Sequence, residues 1–210
     1  MAVQSPRTSI LEELRSSTRS QHEAMEGLIP VSSVFSSLQS YRALLQRFYG
    51  FYSPLELRLS RISSLDRLLP DYPKRRKTPL LRRDLEFLGL YPEQIQLCRR
   101  LPRVDSLSEA FGVLYVIEGS TLGGQILSRT AQQNLNISGN EGASFFSSYG
   151  SEVGSMWRKF REAVERYSRD HPDESNRILC AARESFQYLG DWLKKEAASD
   201  DPVNAGHIQV

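Results

Sequence analysis

His22 is one of only three histidines in the chain and stands inside the stretch "RSSTRSQHEAME", residues 15 to 26. Glu26 follows it by four positions and Arg15 precedes it by seven, so on a helix all three share a face. A carboxylate at that spacing can accept the imidazole Nδ1 proton, directly or through water, and leave Nε2 pointing outward as a more basic ligand. A histidine on an apolar helix face is more often a satisfied core residue. The carboxylate and the cation two turns away favour another reading, a planar group that is metallated at its centre and anionic at its rim. The second unusual place is "EGSTLGGQ", residues 118 to 125, where Gly119, Gly123 and Gly124 interrupt a segment otherwise composed like a buried helix. Each interior glycine costs about 1 kcal/mol relative to alanine, so the cluster requires a reason. Taken alone it fits equally a break or close helix crossing, and a bend that offers bare backbone to something flat.

A zinc site needs three or four ligands, and His22 has no histidine near it: His171 precedes a proline in a loop and His207 lies close to the C-terminus. One protein ligand suffices for iron when a macrocycle supplies the other four, as in haem.

The elements that must position these residues read as helices throughout. Ser9-Ile-Leu-Glu12 is a capping box opening a segment with Ile10, Leu11, Leu14, Thr18, His22 and Met25 at helical spacing, which predicts His22 on the inward-leaning face of one helix. Ser36 to Gln39 is a second box, ahead of a long helix that Pro54 should kink. Thr78-Pro79 opens "LLRRDLEFL", which Gly89 ends, and "PEQIQLC" reads as a short helix after it. Ser106 to Glu109 caps the long apolar segment that carries the glycines, and helices resume at about 151 to 170 and 173 to 197. No alternating strand pattern competes. The expected fold is all-α, a single-domain bundle of roughly seven to nine helices over residues 1–198 with a loose tail over 199–210.

With 27 Lys+Arg against 25 Asp+Glu in 210 residues, the net charge of +2 argues against a nucleic-acid partner. The basic run "PKRRK", residues 73 to 77, reads as an exposed loop between helices. No signal-peptide pattern or apolar run of membrane-spanning length stands out, so no membrane span is expected. Cys98 and Cys180, far apart and without ligand spacing, read as reduced thiols of a cytoplasmic protein. Trp157 and Trp192 read as core anchors, and Tyr49, Tyr52, Tyr115, Phe145, Phe146 and Phe186 as core or pocket-wall aromatics.

Three stretches together resemble the haem oxygenase family, of the soluble, biliverdin-producing bacterial type: "RSSTRSQHEAME", "FYGFYSPLE" (48 to 56) and "GVLYVIEGSTLGGQILSRTAQ" (112 to 132), followed in register by "EGASFFSSYG". The resemblance spans about residues 8 to 195. It implies that haem is both substrate and cofactor, with His22 as the axial iron ligand. Arg15, Thr18, Glu26, Tyr115, Arg158 and Phe186 would surround the haem, and Gly119, Ser120, Gly123 and Gly124 would form the distal wall over it. It further implies cleavage of haem at a meso carbon to biliverdin, CO and ferrous iron. That reaction consumes O2 and electrons from an external donor such as a ferredoxin or a flavin reductase, which Arg15, Arg19 and Arg158 are placed to steer. A bilin-binding photoreceptor is a further partner if the product supplies a chromophore.

Two positions depart from the family pattern. Ser120 stands where many members carry an aspartate, and an ungapped alignment leaves Arg158 paired with Glu162 where two basic residues often face the haem carboxylates. Two alternatives stay open: a haem carrier or sensor on the same fold, and a different enzyme on the scaffold with a non-haem metal, for which no Glu-x-x-His spacing is present.

Overall fold

The computed structural model describes residues 9–197, so the expected tail and His207 lie outside the described residues. Seven helices of eight or more residues carry the fold: α1 Ile10–Ser17, α2 Arg19–Leu28, α3 Leu38–Leu59, α4 Thr78–Phe87, α5 Leu107–Leu135, α6 Val153–Asp170 and α7 Ser175–Ala197. Single helical turns join them at Val31–Val34, Leu65–Leu68, Tyr72–Arg75 and Ser144–Ser147, and the described residues contain no strand.

Helix α1 starts as its capping box dictates: the Ser9 hydroxyl accepts from the Glu12 N–H at 3.3 Å and the Glu12 carboxylate accepts from the Ser9 N–H at 3.2 Å. Ile10, Leu11 and Leu14 bury its inner face. At Thr18 the backbone leaves helical geometry (φ −112°, ψ 2°) and the Thr18 hydroxyl donates to the Leu14 carbonyl at 2.7 Å. The single helix expected over this region is therefore two. The correction matters for His22, because α2 contains no buried residue and the stripe that is core in α1 faces open space in α2.

Helix α3 begins at Leu38, capped by Ser37, one residue later than expected. Pro54 does not interrupt it. Proline has no N–H for the Gly50 carbonyl four residues back, and the Cys98 N–H, at 2.8 Å from that carbonyl, takes the place.

Helix α4 owes its start to a distant residue. Thr78 is already helical; the Glu56 carboxylate on α3 accepts from the N–H groups of Lys77 and Thr78. Gly89, at φ +75°, follows its end as expected. "PEQIQLC" holds only a single 3₁₀ turn, Pro92–Gln94.

The centre of the bundle is α5, which runs through all three glycines as one helix, with both halves of the Ser106–Glu109 capping box formed. Its most extensive contact is with α7. The crossing depends on Gly112, where a Cβ would stand 2.3 Å from the Ile178 carbonyl oxygen. By length and composition alone α5 could cross a membrane, but 56% of its most apolar window is buried within the bundle, as befits a central core helix.

Candidate functional site

Where α2 departs from the core, a cavity of about 1010 Å³ opens between α2 and α5, at the upper end of the range for small-molecule sites. Its walls are mostly apolar: Phe48, Tyr52, Val116, Leu127, Phe145, Phe146, Trp157, Phe186 and Leu189. Arg15, Arg19, His22, Glu23 and Glu26 line it from the α1–α2 side.

The His22 side chain is 61% exposed and points Nδ1 at Glu26 Oε1, 3.5 Å away. Its ring meets the Phe186 ring edge-on at 5.9 Å between centroids. Nothing among the described residues hydrogen-bonds Nε2, so the imidazole offers the cavity one open ligand position. Thr18 and Tyr115 line the cavity from the α1–α2 junction and from α5.

The glycines of α5 divide by environment. Beyond Gly123 a Cβ would meet nothing within 4 Å, and beyond Gly119 only the Trp157 ring at 3.9 Å, so both present bare backbone to open space. Gly124 is different: its missing Cβ would stand 2.7 Å from the Phe146 carbonyl oxygen, so it lets the Ser144–Ser147 turn pack against α5. That turn is itself fixed by the buried Asp84 carboxylate, which accepts from the N–H groups of Ser144 and Phe145 at 2.8 and 2.7 Å.

Ser120 donates to the Ile117 carbonyl at 2.7 Å and, like Tyr52, lines the cavity. Burial pushes the Tyr52 phenol up to about 12, so it stays protonated beside the cavity. Arg158 departs from expectation: it is exposed and does not line the cavity. Trp157 does line it, and one helical turn on from Trp157 is Arg161, whose charge reaches Tyr115. Trp157 is thus a half-buried cavity wall, stacked on Phe160 at 5.6 Å, and not the core anchor its type suggested.

The largest correction concerns "PKRRK". Arg75 and Lys77 are both only 1% exposed. Arg75 donates to the buried Glu118 carboxylate, to Asp71 at 2.7 and 2.8 Å and to the Met156 carbonyl at 3.2 Å. Lys77 Nζ lies 3.5 Å from Glu118 and donates to Tyr149 at 2.7 Å and Ser148 at 3.2 Å; Tyr149 in turn donates to Glu118 at 2.7 Å. Burial drives the Lys77 ammonium below the usual lysine range, while Glu118 and Glu56 pull the other way. Burial and Glu118 push the Tyr149 phenol far up, so it remains a neutral donor. Lys77 also lines the cavity. The trace of this cluster in the sequence is Glu118, the one carboxylate in α5 beyond its capping turn, which in so apolar a stretch requires a partner.

A slot with one free imidazole on one side, bare helix backbone on the other, apolar walls and arginines at one edge suits a flat, iron-bearing, carboxylated macrocycle. A family model described as Heme oxygenase matches residues 8–195. The chain belongs to the haem oxygenase family. It is 30% identical over 183 residues to Heme oxygenase PigA of Pseudomonas aeruginosa, covering 86% of this chain and 89% of that one. A Heme oxygenase of Rhodella violacea is 27% identical over 155 residues, 66% of each chain. Among solved structures, the haem oxygenase of Neisseria meningitidis superposes with a TM-score of 0.81 at 23% identity, over 96% of this chain and 99% of that one. A cyanobacterial Synechocystis haem oxygenase in complex with haem gives a TM-score of 0.67 at 18% identity, over 90% and 92%. The two structural matches establish the all-α haem oxygenase fold, and the family match establishes haem as the bound group.

Proposed function

We propose that this chain cleaves haem oxidatively at a meso carbon, releasing biliverdin, CO and ferrous iron, with His22 as the axial ligand. The cavity between α2 and α5, one imidazole on one wall and bare glycine backbone on the other, is the observation that carries this reading. Bound haem supplies the iron at which oxygen is activated and is also the molecule oxidised. The chain's own residues do the positioning. His22 Nε2 holds the iron, and Glu26 keeps the ring in the tautomer that presents it. Gly119 and Gly123 leave room for the macrocycle and a small ligand, while Tyr52 and Ser120 bring hydroxyl-bearing side chains to the cavity wall beside it. Arg15 and Arg19 pair with the haem carboxylates at the cavity mouth. Electrons come from an acidic ferredoxin or a flavin reductase drawn to that cationic edge.

The test is an absorbance time course of purified protein with one equivalent of hemin under air, reduced by a ferredoxin system with catalase present. Loss of the Soret band with growth of a broad red biliverdin band and capture of CO is expected. A stable Soret band despite proven reduction and oxygen binding would make the chain a haem carrier.

The two kinds of glycine separate binding from folding. Gly123→Leu places its side chain in the open slot and should cut hemin binding sharply, while the unloaded protein melts no lower than wild type, leucine being the better helix former by about 1 kcal/mol. Gly124→Ala should instead destabilise the fold by about 1–3 kcal/mol through overpacking against the Phe146 carbonyl. Hemin titration and thermal melts of both variants check this; tight hemin binding by Gly123→Leu would count against the α5 wall as the haem face.

A further inference from the structure

The buried cluster behind α5 has no role in the reading above. Lys77 lines the haem cavity, yet the two residues its Nζ donates to, Ser148 and Tyr149, line a separate open pocket of about 390 Å³ bounded by Arg83, Ser138 and Ser144. Lys77 and its two partners therefore form a hydrogen-bonded link between residues of the outer pocket and residues of the haem slot. Its surroundings are specific. Ser148 is held at φ +42°, a backbone conformation that a serine adopts only under constraint from its neighbours, and this aims its hydroxyl at Nζ. The Tyr149 ring also lies under Nζ at 3.9 Å. Burying a lysine this completely is costly without a carboxylate, which Glu118 supplies.

We infer that Lys77 is the proton port of the haem cavity, delivering protons to oxygen in the slot and recovering them from the outer pocket through Ser148. The inference rests on the haem oxygenase reading. It also explains how the site can work with Ser120 at a position where an acid is absent: Ser120 spends its proton on the Ile117 carbonyl, whereas Lys77 has protons to give. In each step an N–H bond of the ammonium breaks and an O–H bond forms on oxygen that the external donor has reduced. The neutral amine is reprotonated in one concerted exchange, in which the Ser148 hydroxyl passes its proton to Nζ as it accepts one from hydrated protons in the outer pocket, so that no alkoxide forms. Arg75 cannot take part in the relay, because a guanidinium does not give up its proton; it anchors Glu118. The groups facing Lys77 are Glu118 from α5, Glu56 from α3, Arg75 from the preceding turn and the Tyr149 phenol. The net effect of burial lowers the ammonium's pKa below that of a free lysine, which makes it a better acid.

The experiment compares wild type with Lys77→Met, Lys77→Arg and Ser148→Ala, all loaded with hemin. Single-turnover haem loss should slow on the order of 10²-fold in both Lys77 variants. Lys77→Arg keeps the charge but not the transferable proton, so a wild-type rate in that variant would reduce Lys77 to a fixed charge and overturn the inference. The rate of the wild type should fall at alkaline pH as the ammonium is lost, and that limb should vanish in Lys77→Met. A readout free of turnover is the pH at which the ferric complex passes from water to hydroxide ligation, followed by absorbance. It should rise in Lys77→Met, which has lost a nearby cation, and stay near wild type in Lys77→Arg. An unchanged transition in Lys77→Met would place the ammonium away from the reacting centre. If Lys77→Met does not fold, Ser148→Ala and Tyr149→Phe carry the test, and wild-type rates in both would sink the port. A wild type that never degrades haem defeats the functional reading alone, since the ligation transition still reports on Lys77.

Discussion

His22→Ala is expected to leave the helical bundle intact while removing the axial imidazole from bound haem. The two effects separate because of where His22 sits. Its side chain is mostly exposed, its polar contact within the fold is the 3.5 Å approach to Glu26, and its helix has no buried residue to lose. Alanine is also the better helix former, so the unloaded variant should match wild type within about 0.5 kcal/mol. Haem binding has no such reserve. Loss of even an outer partner of a metal ligand commonly costs 10–100-fold in affinity, and losing the ligand itself should cost at least about 100-fold here or leave a water- or hydroxide-ligated spectrum. Added imidazole should restore the original spectrum by entering the space the side chain leaves. An unchanged axial-imidazole spectrum in the variant would remove His22 from the site.

Arg75→Met should be the most destabilising single change in the protein. It strips the buried Glu118 carboxylate of its shortest-range cation, leaves Asp71 unpaired and frees the Met156 carbonyl. Removing one partner of a buried ion pair costs about 3–5 kcal/mol, which for a chain of this size is a fall of roughly 6–20 °C in Tm. Glu118→Leu in the same background should recover part of the loss, because a hydrophobic pair of similar volume needs no desolvation. Lys77 would still lack its carboxylate, so recovery should be incomplete. Melting curves of the two single variants and the double variant measure the coupling. An Arg75→Met protein that melts within a degree or two of wild type would show that Glu118 is not held as a buried ion.

The readable parts of the site are those encoded within one helical turn. His22 and Glu26, four residues apart, were legible as an imidazole with its carboxylate, and the glycines of α5 were legible as a cluster that either a close crossing or bare backbone would explain. The distinction between Gly123, which faces open space, and Gly124, which faces the Phe146 carbonyl, was not, because spacing along a helix does not say what lies opposite. Arg158 and Arg161 show the same limit. The alignment favoured Arg158, but the position of Trp157 on the cavity wall puts Arg161, one turn later, on the side of Tyr115.

By itself the sequence determined the all-α class, the capping boxes at Ser9 and Ser106, the stop at Gly89 and the haem oxygenase resemblance, because each rests on side chains acting within about four residues or on a pattern carried along the chain. The tertiary structure alone decided that Glu56 caps α4 from 21 residues away and that Arg75 meets Glu118 across 43. It also decided that Arg75 and Lys77, in a run that reads as a solvated loop, are buried, Lys77 against the cavity between α2 and α5. The physical reason is that a charge is buried only when its partner arrives from elsewhere in the fold, and no local pattern announces that arrival.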